Sequence, residues 1–414
     1  MQKINTVKGT KDLYGQSLID HNFISETFIK ICESKNYNHI STPIIENAGV
    51  FKKTLGLTSD IISKEMYNFI DQGGDDLVLR PEGTAAIARA LVSNSLQDEL
   101  NKKFFYYGPM FRREKPQSGR LRQFHQVGIE LFDEKVFFND VEAIMIANNF
   151  LEKIEIRNNV NLEINSLGNF DSREKYKSEL IKFFKTKESS LSVESKKKIN
   201  INPLRILDSK IENDKEIIQK APKLMDYLDE DSLFYFKAIE KNLKVLGIDY
   251  KINPYLVRGL DYYNHTAFEF ITSEDKSQNT ILAGGRYDGL VSSLGGKNIS
   301  GIGWAAGVER IVMNIKNFQK KKKVVNFISQ SNVFNTKLLE IYNSLQIKED
   351  ISFNILYTGS FKKKIIKANK LNSYGCFILG EDEIKENKIL WKNMESGKQK
   401  SVLIDKINDF IKII

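Results

Sequence analysis

The sequence predicts an α+β fold: an antiparallel sheet with flanking helices and a helical insertion, followed by a small C-terminal α/β domain. Three observations predict it. Strand-like runs at residues 77–80, 104–107, 122–131, 255–257, 268–271 and 281–283 follow one another with few helical stretches between, the pattern of an antiparallel sheet. Residues from about 171 to 246 are charged and helical in period, as an insertion would be. After Lys320-Lys321-Lys322-Lys323, apolar pieces at 324–328, 337–345, 351–356, 363–371 and 376–379 alternate strand with helix, which implies a βαβ domain with a parallel or mixed sheet. The divisions expected are 1–319, with the insertion inside it, a lysine linker at 320–323, and 324–414.

The N-terminal elements follow the same logic. Leu18, Ile19, Phe23, Ile24, Phe28 and Ile31 recur at helical spacing. An extended piece from residue 38 to 45 is interrupted by Pro43, which cannot donate to a sheet ladder and belongs at an edge or interface. With 414 residues, 41% of them hydrophobic, the chain can bury a large core. No stretch is apolar for long enough to span a membrane, and the first residues lack the apolar run of a secretory signal. Cys32 and Cys376 are far apart and the four histidines are scattered, so no structural zinc site is expected. A cytoplasmic protein with reduced thiols fits this inventory.

Charge is unevenly placed. Of the formal net charge of +9, residues 320–414 hold 18 lysines, no arginine and 10 acids, or +8, leaving +1 for the rest. A polyanionic partner for the last quarter explains that asymmetry, although a lysine-rich composition throughout accounts for part of it.

Five blocks carry candidate chemistry. The first is Arg80-Pro81-Glu82-Gly83-Thr84, ahead of a helix at 85–92 that Thr84 is placed to cap. In the second, Phe111-Arg112-Arg113-Glu114 enters a loop that returns through Arg120-Leu121-Arg122-Gln123-Phe124-His125-Gln126. Guanidinium groups clustered there suit phosphate oxygens. In the returning strand Phe124, Gln126, Gly128 and Glu130 share one face, as the wall of a polar pocket would, while His125 shares the apolar face and reads as a packed residue. The third block is Val257-Arg258-Gly259-Leu260-Asp261-Tyr262-Tyr263. The fourth is Gly284-Gly285-Arg286-Tyr287-Asp288-Gly289, where glycines admit a ligand to the backbone and Arg286 and Tyr287 offer polar tips. The fifth is Gly301-Ile302-Gly303-Trp304-Ala305-Ala306-Gly307-Val308-Glu309-Arg310, running into a helix. Its glycine spacing departs from a dinucleotide fingerprint, and there is no P-loop motif, so arginines and an open sheet would have to hold any nucleotide.

Together, and in this order, the five blocks resemble the class II aminoacyl-tRNA synthetases, and among them the histidyl-tRNA synthetases, over nearly the whole chain. The resemblance implies an antiparallel class II sheet and activation of L-histidine by ATP, with Mg²⁺ accompanying the nucleotide and no metal held by assigned side chains. It implies transfer of histidine to tRNA(His), a homodimer with Pro43 near its interface, and an anticodon-binding role for 324–414, where Phe353, Tyr357 and Phe361 are candidates to stack on bases, Phe353 reading more readily as core. Carried onto matching residues, it assigns Arg112 and Arg258 to the α-phosphate, Arg112 also to the substrate carboxylate, and Arg120 and Arg310 to the terminal phosphates. Glu114 and Phe124 take adenine. Glu82 takes the histidine α-amino group, beside Thr84 and Gln126, while Glu130, Tyr262, Tyr263 and Tyr287 line the imidazole end. The alternative is a catalytically silent paralogue that regulates histidine biosynthesis. Retention of Arg112, Arg258, Arg310 and the basic last domain argues against it.

Overall fold

The computed structural model describes residues 3–56, 59–98, 101–117, 119–272, 279–315 and 322–414. Two compact units divide it, Met1–Phe318 and Gln319–Ile414. Lys320 and Lys321 of the expected linker lie outside the described residues, and Lys323 already opens a strand.

In the first unit the strands, in chain order, are β1 (Asn38–His39), β2 (Ile45–Asn47), β3 (Tyr67–Ile70), β4 (Asp76–Leu79), β5 (Lys102–Phe111), β6 (Gln123–Asp133), β7 (Val160–Ser166), β8 (Lys251–Ile252), β9 (Asn264–Thr272), β10 (Thr280–Arg286) and β11 (Ser300–Gly307). Among the described residues, eight of them form one sheet in the order β1-β5-β6-β11-β10-β9-β7-β8, and β2-β4-β3 form a second. The large sheet is antiparallel except at its edges, where the pairs β1–β5 and β7–β8 are parallel. Helices α1 (Gln16–Ser34), α2 (Ala48–Thr54), α3 (Thr84–Ser93) and α4 (Phe137–Lys153) precede the expected insertion. That region holds α5 (Phe170–Thr186), α6 (Val193–Lys198), α7 (Glu212–Ile218) and α8 (Glu230–Val245), with α9 (Leu290–Ser293) and α10 (Val308–Val312) after it.

Alternation in β6 separates two cores. Val127, Ile129 and Leu131 join Ile24, Phe28 and Cys32 of α1, residues of α4 and Phe236, Ile239 and Leu243 of α8 in one cluster. The ring of Phe28 meets Phe105, Phe150 and Trp304 edge-on at 5.3–5.9 Å, and truncating such a side chain costs about 3–5 kcal/mol. The opposite face of the sheet stays partly open and carries the cleft described below. The run 255–257, expected as a strand, is loop instead. Asn253 explains this: its Oδ1 accepts from Tyr255 N at 3.1 Å, making a side-chain turn around Pro254 that takes the backbone out of any ladder. Strands β3, β7, β8 and β11 are additional to the expected set.

The second unit has strands β12 (Lys323–Ser329), β13 (Ile351–Ile355), β14 (Gly375–Leu379), β15 (Lys388–Asn393) and β16 (Gln399–Leu403), in the order β13-β12-β14-β15-β16. The sheet is mixed: β12 is parallel to both neighbours, and the β14–β15 and β15–β16 pairs are antiparallel. Helices α11 (Asn335–Asn343) and α12 (Phe361–Lys370) make the crossovers. Phe353 packs with Phe327 and belongs to the core, Phe361 is half-buried, and Tyr357 is exposed.

Candidate active site

A cleft of about 320 Å³ opens on the free face of the large sheet. Ten of the residues singled out in the sequence line it: Glu82, Arg112, Glu114, Arg120, Phe124, Gln126, Arg258, Tyr262, Tyr263 and Arg310. Thr84, Glu130 and Tyr287 are buried and joined to one another by hydrogen bonds through Glu130.

One end is built from guanidinium groups. Arg112, where β5 gives way to the loop, is fixed by donating from Nε to Pro81 O at 2.9 Å, and stands 5.3 Å from the Phe124 ring. Arg120 pairs with Glu114 at 2.8 Å. Arg310, at the start of α10, donates to Thr280 O at 2.9 Å and Gly119 O at 3.3 Å. Burial holds its pKa below the usual value, and the like charges of Arg120 and Arg112 push the same way. Arg258 pairs with Glu269 and lies 5.1 Å over the Tyr263 ring. Burial opposes its charge, but Glu269 and the neighbouring tyrosines outweigh that and hold its pKa above the ordinary value. Among the described residues, Nε of Arg120, Nε of Arg258 and Oε1 of Gln126 are buried without hydrogen-bond partners. Buried polar atoms in that state are costly unless a ligand completes them: the two arginine nitrogens suit an anion, and the amide oxygen suits a donor such as an ammonium group.

The other end is built from carboxylates. Glu82 accepts from Thr84 N at 2.7 Å and Ala85 N at 2.8 Å, and so caps α3. Thr84 does not cap the helix as expected. It is the first helical residue, and its hydroxyl donates across to Glu130 Oε1 at 2.6 Å. Burial raises the Glu82 pKa, against the pull of those two amides and Arg112. Glu130 is fully buried at the middle of β6, with Tyr287 donating to its other oxygen, and burial drives its pKa well above the usual range. Its neighbour across the ladder is Gly303, where an added Cβ would lie 2.0 Å from Glu130 Oε2. At Gly301 it would lie 2.1 Å from the Tyr287 ring. These glycines make room for the carboxylate and its hydroxyl partner.

The fourth block behaves differently from the expectation. Gly284 and Gly285 approach neighbouring strands and the Phe268 and Tyr263 rings rather than the cleft. Arg286 is buried in ion pairs with Asp140 and Asp288, because a guanidinium on this face of β10 can be accommodated only against carboxylates. Three lining residues with polar side chains were not assigned from sequence: Glu269, Thr280 and Glu309. Glu269 had a readable signal, a carboxylate inside the apolar run Ala267-Phe268-Glu269-Phe270-Ile271.

An antiparallel sheet flanked by helices, carrying a cleft lined by arginines of the second, third and fifth sequence blocks, defines a class II aminoacyl-tRNA synthetase. A family model described as histidyl-tRNA synthetase matches residues 9–311. A histidine–tRNA ligase of Gluconobacter oxydans is 40% identical over 402 residues, 97% of each chain. A chloroplastic histidine–tRNA ligase of Gracilaria tenuistipitata var. liui is 44% identical over 397 residues, 95% of this chain and 94% of that one. The crystal structure of apo S. aureus histidyl-tRNA synthetase superposes with a TM-score of 0.79 at 28% identity, covering 99% of this chain and all of that one. The chain therefore belongs to the histidyl-tRNA synthetase family. The regulatory alternative gains no support from these full-length ligases.

Proposed function

We propose that the cleft joins L-histidine to the α-phosphate of ATP, releasing pyrophosphate, and then passes histidine to the 3′ end of tRNA(His). The observation that carries this reading is the division of one cleft into an arginine end and a buried carboxylate end. A carboxylate oxygen of histidine attacks the α-phosphorus, the bond from that phosphorus to the β-phosphate oxygen breaks, and pyrophosphate leaves. Both reactants are anionic. Arg112 and Arg258 offset their repulsion and stabilise charge building on the phosphoryl oxygens. The histidine carboxylate is already ionised, so this step needs no general base. Arg120 and Arg310 hold the terminal phosphates, while Phe124 stacks on adenine with Glu114 beside it. In the second step a terminal ribose hydroxyl of the tRNA attacks the adenylate carbonyl, and AMP leaves.

Glu82 receives the α-amino group near Thr84 and Gln126. Tyr262, Tyr263 and Tyr287 surround the imidazole, which donates toward Glu130. That carboxylate uses two hydroxyl donors of roughly four it can accept, so it has capacity for an imidazole N–H. An amino acid without that donor leaves the buried acid under-bonded, a defect that can cost ~10⁴–10⁵ in discrimination.

Mg²⁺ enters this scheme as part of the MgATP substrate. The carboxylates facing the arginines are committed, Glu114 to Arg120 and Glu269 to Arg258, which favours a nucleotide cation carried by phosphates over one held by these side chains. Residues 1–319 form the catalytic domain, with the helical insertion at about 171–246. Residues 324–414 bind the anticodon region through exposed lysines such as Lys362, Lys363 and Lys367 on α12, with Tyr357 available for stacking. Exposed Pro43, Ile44, Ile45, Phe69 and Ile70 support a homodimer contact near the small sheet. Among the described residues no helix is long and apolar enough to cross a membrane, and both cysteines are free and buried, in keeping with a cytoplasmic setting. ATP–pyrophosphate exchange with each of the twenty amino acids tests the reading. Exchange with histidine alone supports it; no exchange from folded protein with MgATP, or exchange with another amino acid, overturns it.

A further inference from the structure

Behind the arginine end of the cleft, three residues remote in sequence converge: His21 of α1, His125 of β6 and Glu309 of α10. One ligand-type atom from each lies within 4.8 Å of the others. The His21 and His125 rings meet edge-on at 5.4 Å. His125 Nδ1 lies 3.0 Å from Glu309 Oε1, and His125 N donates to the same carboxylate at 2.9 Å. His21 is the anomaly. Its side chain is fully buried, yet among the described residues neither ring nitrogen has a hydrogen-bond partner. A packed histidine ordinarily finds at least one.

We propose that His21, His125 and Glu309 form a binding site for a divalent transition-metal cation, Zn²⁺ foremost. Two imidazoles and one carboxylate are the donor set of many zinc sites with an open position, completed there by water. Burial holds the His21 imidazole below its ordinary pKa, and Glu309 only partly opposes this, so the ring keeps the neutral form a metal needs. The other charges acting on it, Lys11 and Asp20, oppose each other, and His125 acts with Lys11. With bonds of about 2.0–2.1 Å to nitrogen and oxygen, tetrahedral donors sit about 3.4 Å apart. Binding therefore requires only side-chain adjustment, bringing the more distant donors closer from their separation of at most 4.8 Å. The alternative division of labour leaves Glu309 on His125 Nδ1, orienting that ring as carboxylates do behind metal-bound histidines. Both divisions require His21.

The location gives the site a consequence. His125 lies between Phe124 and Gln126, and Glu309 precedes Arg310, all of which line the cleft. A cation here ties α1, β6 and α10 together directly beneath the nucleotide end. The scattering of histidines in the sequence does not exclude such a site, because α1 and β6 become neighbours only in the fold.

The test uses the full chain, stripped with EDTA and dialysed free of it, and Zn²⁺ titrated against a chromogenic chelator. One Zn²⁺ per chain is expected, with affinity at least tenfold weaker in His21→Phe, whose ring fills the same space. Because the chain has only four histidines, ¹³C-histidine NMR gives a readout that needs no variant. Zn²⁺ should shift two imidazole signals, those of His21 and His125, and leave those of His39 and His265 in place. Zinc should also raise the Tm of the wild type but not of His21→Phe. Absence of stoichiometric Zn²⁺ binding by the wild type overturns the proposal, as does undiminished binding by folded His21→Phe or a shift confined to His39 and His265.

Discussion

The two ends of the cleft solve opposite electrostatic problems. At the arginine end, partly buried guanidinium groups crowd together, and Arg310 feels the positive charge of Arg112 and Arg120. Each carries a protein partner, yet nitrogens of Arg120 and Arg258 remain without acceptors. At the carboxylate end, Glu130 is buried with two neutral hydroxyls and no cation bonded to it, and burial raises its pKa. The first end attracts any phosphate, since charge acts at a distance and a guanidinium fork fits every phosphoryl group alike. The second attracts only a group that can lend a proton to a buried oxygen. On the proposed reading, catalysis and selectivity are thus placed in separate parts of one cleft.

Substitution at each end should break different kinetic constants. The largest effect is expected from Arg258→Ala, which removes a donor poised for transition-state charge and should lower the rate of ATP–pyrophosphate exchange by about 10²–10³, with the circular dichroism spectrum retained. Arg258→Lys keeps the charge but loses the planar fork, and should recover only part of the rate. Unchanged exchange in the alanine variant would remove Arg258 from the chemistry. Next comes Glu130→Gln, a nearly isosteric change at the selective end. It should raise the histidine KM by roughly 10–10² while the ATP KM moves by less than about twofold. Equal shifts in both constants would mean that the ends are not separate.

How much of this could be read from the chain depended on whether the signal was local. Alternation of polar and apolar residues in β6 identified the cleft wall, since Phe124, Gln126, Gly128 and Glu130 fall on one face whatever the tertiary context. Strand β11 was hidden because its glycines lower strand propensity. They are there for Glu130 and Tyr287, which come from other strands and loops. Thr84 looked like a cap because its residue type and position fit one, whereas Glu82, two residues earlier, reaches the helix amides first and frees the threonine for Glu130. Arg286 looked like a ligand contact for want of Asp140, 146 residues away. Glu269 stood out as a carboxylate in an apolar run, but its role follows only from Arg258 beside it. In each case the missing information was a partner supplied by the fold, not a property of the residue.

Gly303→Ala sharpens the comparison without touching any polar group. The new Cβ would fall 2.0 Å from Glu130 Oε2 and 2.4 Å from Ile129 O, and the second of these is backbone that cannot swing aside. Overpacking of this kind costs about 1–3 kcal/mol, and displacement of the carboxylate should raise the histidine KM by about tenfold. The ATP KM should stay near its original value, because the glycine touches none of the arginines. A loss confined to ATP would show that strand β11 communicates with the wrong end for this account.

The smallest effect concerns Glu130 as a titrating group. Its folded-state pKa lies above the ordinary 4.5 because burial penalises the charge. Above pH 4.5 the folded protein therefore keeps a proton that the unfolded chain has already released. Stability from this group is fully present below that pH and is lost as pH rises through the folded value. Glu130→Gln carries no such proton. The Tm of the variant, taken relative to the wild type, should therefore climb between pH 5 and pH 8, by roughly 1–3 °C for a chain of this size. Glu82 is raised in the same direction, but it is present in both proteins and cancels in the difference. Measured in a series of buffers of equal ionic strength, a difference in Tm that stays flat with pH would mean that Glu130 ionises as an exposed carboxylate does. The selective end would then resemble the arginine end, a site of settled charge, and the imidazole N–H would meet an ionised acceptor.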